Sequence, residues 1–202
     1  MTAMEFELFR SLVWTDYRLA VLLTVILPLI GLIWAFVKNS EAILRVLIIY
    51  WRVASLLGIT VYLLIGAFPI GYLTGVAARV LIPLSLWFWV DLNEEIDDQP
   101  MNSFKLSFLS WRWAITVYNG LGLLLAIPSL KCAVSPQATI LADPFCRVWL
   151  DAPWGFRAFF HANTKPGFLG FLGIMGLVIY VLYLGYFVFF RLSRQGRSAT
   201  EQ

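Results

Sequence analysis

The chain has 202 residues, 60% of them hydrophobic and 13% charged, with a formal net charge of +3. Soluble domains carry about a quarter charged residues, so this composition and a mean hydropathy of +0.80 exclude a soluble globular domain. The small, spread-out positive charge excludes nucleic acid as a partner and leaves the lipid bilayer. The expected fold class is all-α: a polytopic transmembrane helical bundle forming a single integral membrane domain over 1–202. Nine Trp, eight Tyr and sixteen Phe suit bilayer interfaces, and they suit pigment or quinone sites as well.

The N-terminus carries Glu5 and Glu7 where a secretory signal would carry Lys or Arg. The first apolar run therefore reads as a permanent anchor. A helix needs about 20 apolar residues to cross a bilayer. Leu19–Val37, bracketed by Arg18 and Lys38, is the first predicted span, with Pro28 as a kink. The uncharged run Val53–Ala78 and the shorter Val80–Val90 make two helices joined near Pro69-Ile70-Gly71. The second span starts as early as Ala42, with Arg45 and Arg52 snorkelling from its first turns. The third runs about Leu73–Val90 and holds Arg79 inside it. Trp113–Leu130 is the fourth and Gly167–Phe190 the fifth. Five spans are expected, with four and six as the alternatives.

An odd count puts the termini on opposite sides. The fifteen basic residues divide almost evenly between the two sides. The positive-inside rule weighs short loops above long ones, and the tail bearing Arg191, Arg194 and Arg197 is the densest basic cluster. The C-terminus is therefore expected in the cytoplasm and the N-terminus outside, or lumenal.

"DLNEEIDD", Asp91 to Asp98, opens the predicted cytoplasmic acidic loop over 91–112. Four readings compete: a solvated helix end stopped by Pro100, a docking surface for a basic partner, a divalent-metal site, and an intramembrane protease. On a continued helix Asp91, Glu94, Glu95 and Asp98 share one face, which would suit a hard cation. The segment "EIDDQPMNSF" resembles the aspartate-rich loop of UbiA-type prenyltransferases. That family carries two such loops, and no second acidic cluster occurs here. The protease reading needs histidines, and the chain has one. The expected docking residues are Asp91, Glu94, Glu95, Asp97 and Asp98, with no metal and no catalytic residue assigned.

The loop between the fourth and fifth spans, 129–166, is expected to be extracytoplasmic. It contains both cysteines, Cys132 and Cys146, as a disulfide or as two free thiols. Asp151, followed by Ala152 and Pro153, reads as the N-cap of a short helix. Phe156, Phe159 and Phe160 form its apolar stripe, and Trp149 and Trp154 anchor it as an interfacial amphipathic helix or a lid over the bundle. The lone His161 is either an ordinary polar contact or a candidate pigment ligand.

Gly167, Gly170, Gly173 and Gly176 recur at steps of three on the fifth span. Small residues let membrane helices approach closely, within the bundle or against a partner. Arg79 is an intramembrane charge and a functional flag. No acid within the predicted spans is available to pair with it, so snorkelling to headgroups is its expected resolution. So few polar groups in the spans argue against ion or proton transport.

"LWFWVDLNEEIDDQPMN", "ADPFCRVWLDAPWGFRAFF" and the frame of about 200 residues together resemble an integral membrane protein family of cyanobacteria with no defined activity. The resemblance covers most of the chain and carries no catalytic residue over. It implies an oxygenic-photosynthetic host, a thylakoid location, and chlorophyll or carotenoid as the cofactors open to it. The expected function is a non-enzymatic accessory or assembly factor of a photosynthetic membrane complex. The alternative is an isoprenoid- or lipid-modifying membrane enzyme using the acidic loop, and a small transporter is third.

Overall fold

A computed structural model of the protein describes residues 3–192, 198 and 199. Described residues form helices and no strands, and five helical stretches are long and apolar enough to cross a membrane. The all-α polytopic bundle expected from composition is therefore the fold. Its outer surface is apolar: Leu22, Ile33, Phe36, Leu121 and Leu182 are exposed, as in a protein solvated by lipid.

The first stretch comprises α1 (Ala3–Ala20), a π-helical turn (Val21–Ile26) and α2 (Leu27–Val37). Pro28 explains the turn. It has no N–H to give, and the N–H of Leu27 reaches back five residues to Leu22 O. The carbonyls of Leu23 and Thr24 thus lose the donor Pro28 would have supplied. Trp111 Nε1 donates to Leu23 O at 2.9 Å, and the buried Tyr50 hydroxyl donates to Thr24 O at 2.6 Å. Neighbouring helices thereby satisfy backbone that lipid could not.

Asn39, at φ 52°, ends α2 in the left-handed conformation and turns the chain into α3 (Glu41–Ile65). A tight turn at Gly66–Pro69 leads into α4 (Ile70–Trp87), slightly earlier than the Pro69-Ile70-Gly71 corner expected. α3 and α4 pack as a hairpin, and α10 (Pro166–Tyr186) packs along α3.

Three boundaries differ from the sequence reading. α1 begins at Ala3, well before Leu19, because its polar half packs on the connection between the fourth and fifth spans: Phe9 stacks on Phe145 at 5.0 Å. The acidic stretch is not a loop but a separate helix, α5 (Val90–Asp98). The fourth span, α6 (Ser103–Ala126), starts well before Trp113, capped by the Asn102 side chain accepting from Lys105 N at 2.9 Å. Its first turns bury Phe104, Lys105, Phe108 and Arg112.

The two ends of the bundle are closed differently. At the end bearing the N-terminus, the N-side, lie α7 (Leu130–Ala133), α8 (Gln137–Ala142) and α9 (Pro144–Phe160). Asp143, not Asp151, is the N-cap of α9, accepting from Phe145 N at 3.0 Å. The same Asp–Pro logic applies one pair upstream, with Pro144 in the first turn, and Pro153 sits inside the helix. α9 lies over the α3–α4 turn as a lid, with Trp154 Nε1 donating to Ile65 O at 3.3 Å and Gln137 Nε2 to Gly66 O at 2.8 Å. The C-side carries the Asn39 turn and α5.

Candidate functional site

α5 is amphipathic on a small scale. Leu92 and Ile96, one turn apart, are fully buried in the C-side core with Tyr50, Leu86 and Phe104. Glu94, Glu95, Asp97 and Asp98 fall on the other faces and are exposed. Two buried cations hold the helix from beneath. Lys105 Nζ donates to the carbonyls of Asp97 at 2.8 Å and Gln99 at 2.6 Å, satisfying the C-terminal end where the helix dipole is negative. Arg112 Nη1 donates to Asn93 Oδ1 at 2.6 Å, and its guanidinium stacks 4.0 Å above the Trp87 ring. Trp87 Nε1 in turn donates to Thr116 Oγ1 at 2.9 Å.

These cations bond carbonyls, an amide and a ring rather than the carboxylates of α5. Ion pairs among the described residues join Arg10–Asp151, Arg45–Glu41, Arg79–Asp16 and Lys131–Asp143, and none reaches Glu94, Glu95, Asp97 or Asp98. Asp91 differs from its neighbours. Its Oδ2 accepts from Ala199 N at 2.8 Å and Ser198 Oγ at 3.1 Å. The basic residues Arg194 and Arg197, and the side chain of Arg191, lie outside the described residues. Beside the acids an open cleft of about 710 Å³ is lined by Trp34, Lys38, Glu41, Glu95 and Gln99. Among the described residues no three His, Cys, Asp or Glu side chains group as metal ligands.

Arg79 has the acidic partner that the predicted spans lacked. Asp16 pairs with it, supplied by the part of α1 that precedes the uncharged run. Tyr118 donates its hydroxyl to Asp16 Oδ1 at 3.0 Å and to Asp16 O at 2.9 Å. The guanidinium occupies the room left by Gly122 on α6, where a Cβ would collide with Nη1 and Cζ. Arg79 lies nine residues into α4, about 14 Å along its axis, so pairing replaces the expected snorkelling. Asp16, Tyr118 and Gly122 were missed because an uncharged-run criterion stops at Arg18 and gives a lone glycine no weight.

The glycine stripe is used inside the chain. A Cβ on Gly170 would lie 2.9 Å from Gly66 Cα, and one on Gly173 would lie 2.8 Å from Leu63 N. A Cβ on Gly176 would lie 3.2 Å from Ile59 Cγ1. Gly170, Gly173 and Gly176 therefore let α10 pack closely along α3 and its C-terminal turn. Cys132 and Cys146 form a disulfide with a Cα–Cα distance of 5.8 Å, and Tyr72 donates to Cys146 O at 2.9 Å. His161, next after α9, has Nε2 in a 3.0 Å hydrogen bond with the Tyr62 hydroxyl, beside Phe156.

Residues 10–200 match a family described as a protein of unknown function (DUF3177), and the chain belongs to that family. No curated protein and no solved structure matches it.

Proposed function

We propose that this member of a family of unknown function is a non-enzymatic accessory or assembly factor that docks on a membrane protein complex through α5. The observation that carries the reading is the construction of that helix. Leu92, Ile96, Lys105 and Arg112 hold it in place, and four carboxylates are left outward without an ion pair among the described residues. A fixed acidic face steers a basic partner and orients it. The adjoining cleft, with Trp34 beside Glu41 and Glu95, has room for a partner's basic side chain.

The resemblance to cyanobacterial membrane proteins extends the proposal to a thylakoid photosynthetic complex. On that reading the C-side is cytoplasmic and the N-side, with its disulfide, lumenal. The enzyme alternative would need carboxylates converging from two places, and α5 supplies one divergent face.

The test is gentle detergent purification of the native chain and of the E94Q/E95Q/D97N/D98N variant, over a salt series. Loss of the co-purifying complex in the variant, and salt-sensitive retention in the native chain, are expected. Unchanged retention in the variant would end the docking reading. Loss of function from a single acid change with association intact would favour the enzyme.

A further inference from the structure

A narrow apolar crevice of about 190 Å³ lies between the C-side halves of α3, α4 and α10. Val53, Leu81, Leu84 and Phe187 are among its walls. Arg52 and Tyr183 also line it, with Arg52 Nη1 donating to the Tyr183 hydroxyl at 3.3 Å. A cation on an apolar helix needs a counter-charge or a route to the headgroups. Three other cations on the spans have their own resolution. Arg79 pairs with Asp16, Arg45 with Glu41, and Lys105 caps α5. Arg52 pairs with no carboxylate among the described residues, and a neutral phenol does not balance its charge. α3 starts at the C-side, and helical side chains lean toward their helix N-terminus, so Arg52 leans toward the C-side headgroups.

We propose that this crevice is a lipid site: one acyl chain of an anionic phospholipid of the C-side leaflet lies in it, with the phosphate on Arg52. The unbalanced guanidinium selects an anion, and the apolar walls select a chain. Size excludes bulkier occupants. The crevice is smaller than the roughly 300–1,000 Å³ of small-molecule pockets, and a helix is about 10 Å across. The rim residues Leu84 and Val188 are exposed, so a lipid enters sideways from the bilayer. Ser85, also in the lining, spends its hydroxyl on Ile82 O at 2.7 Å and leaves Arg52 and Tyr183 to meet the headgroup.

The experiment uses the full-length protein, delipidated in detergent, with chain-matched phosphatidylglycerol and phosphatidylcholine as probes and native mass spectrometry as readout. Phosphatidylglycerol should bind about tenfold more tightly than phosphatidylcholine, the step that one charge-assisted contact supplies. Arg52→Lys should keep the preference. Arg52→Gln should reduce it to about twofold or less while chain binding persists. Leu84→Trp, at an exposed rim position, should fill the crevice and remove both lipids. Arg45→Gln, on the same helix face but already paired, should change nothing. The proposal is overturned by any of three results. These are a native chain without headgroup preference, a preference that survives Arg52→Gln, or a polypeptide rather than a lipid released by Leu84→Trp. Retention of the Cys132–Cys146 disulfide and monodisperse elution identify the folded variants, and the native chain alone decides the first of those results.

Discussion

The two ends of the bundle handle their polar groups in opposite ways. On the N-side several charges and donors are spent within the chain. Arg10 meets Asp151, Lys131 meets Asp143, Arg79 meets Asp16, Tyr72 meets Cys146 O, and a disulfide ties the lid. On the C-side Lys105 and Arg112 are buried and spent on backbone and side-chain oxygens, and Glu94, Glu95, Asp97 and Asp98 above them are left outward. An end that satisfies itself is a closed structure. An end that buries two cations beneath a helix whose outward face is acidic has a surface to offer.

The largest effect should come from breaking the N-side core. Asp16→Asn removes the counter-charge of Arg79, which is 11% exposed. Removing one partner of a buried pair costs about 3–5 kcal/mol, so the variant should lose most of its thermal stability in detergent. Replacing both by apolar residues, D16L/R79M, should recover much of it, because neither charge is then stranded. A single variant as stable as the native chain would show the pair to be dispensable.

Next comes the disulfide. Cys132 and Cys146 are 14 residues apart, and closing a loop of that length contributes about 3 kcal/mol. Cys146→Ser should loosen α7–α9, giving protease cleavage in 133–165 before the bundle itself unfolds. Global and local loss at the same temperature would mean that the lid and bundle are one unit.

The C-side counterpart is Lys105→Met. It leaves the carbonyls of Asp97 and Gln99 without their donor, at about 1–3 kcal/mol. Amide exchange should rise over Asn93–Gln99 with little change in α3, α4 or α10. Uniform loss of protection would show α5 to be part of the global core. Smallest of all are single changes such as Asp98→Asn, since exposed charges are worth about 0–1 kcal/mol. Thermal stability should stay put, and a measurable drop would reveal an internal partner for that acid.

Five spans were legible because uncharged runs of bilayer length are a strong signal, and Pro28 and the glycine stripe were legible as irregularities. Where each span starts was not. Asp16, Lys105 and Arg112 lie at or beyond the ends of the uncharged runs, yet each is shielded because it finds a partner on another helix. Pairing across helices leaves no mark in local hydropathy. For the same reason Arg79 was visible as an anomaly while its counter-ion was not. The acidic stretch announced itself by charge. Its helical state rested on Leu92 and Ile96, two apolar residues among five acids, whose meaning comes only from the pocket they fill.

The contrast between the ends is tested most directly by site-specific photo-crosslinking in native membranes. The probe is placed at Asp98 on the C-side or at Thr139, an exposed position on the N-side. The account predicts a discrete cross-linked partner from Asp98 whose yield falls as salt rises, and none from Thr139. A partner captured equally from both positions, or from Thr139 alone, would contradict it.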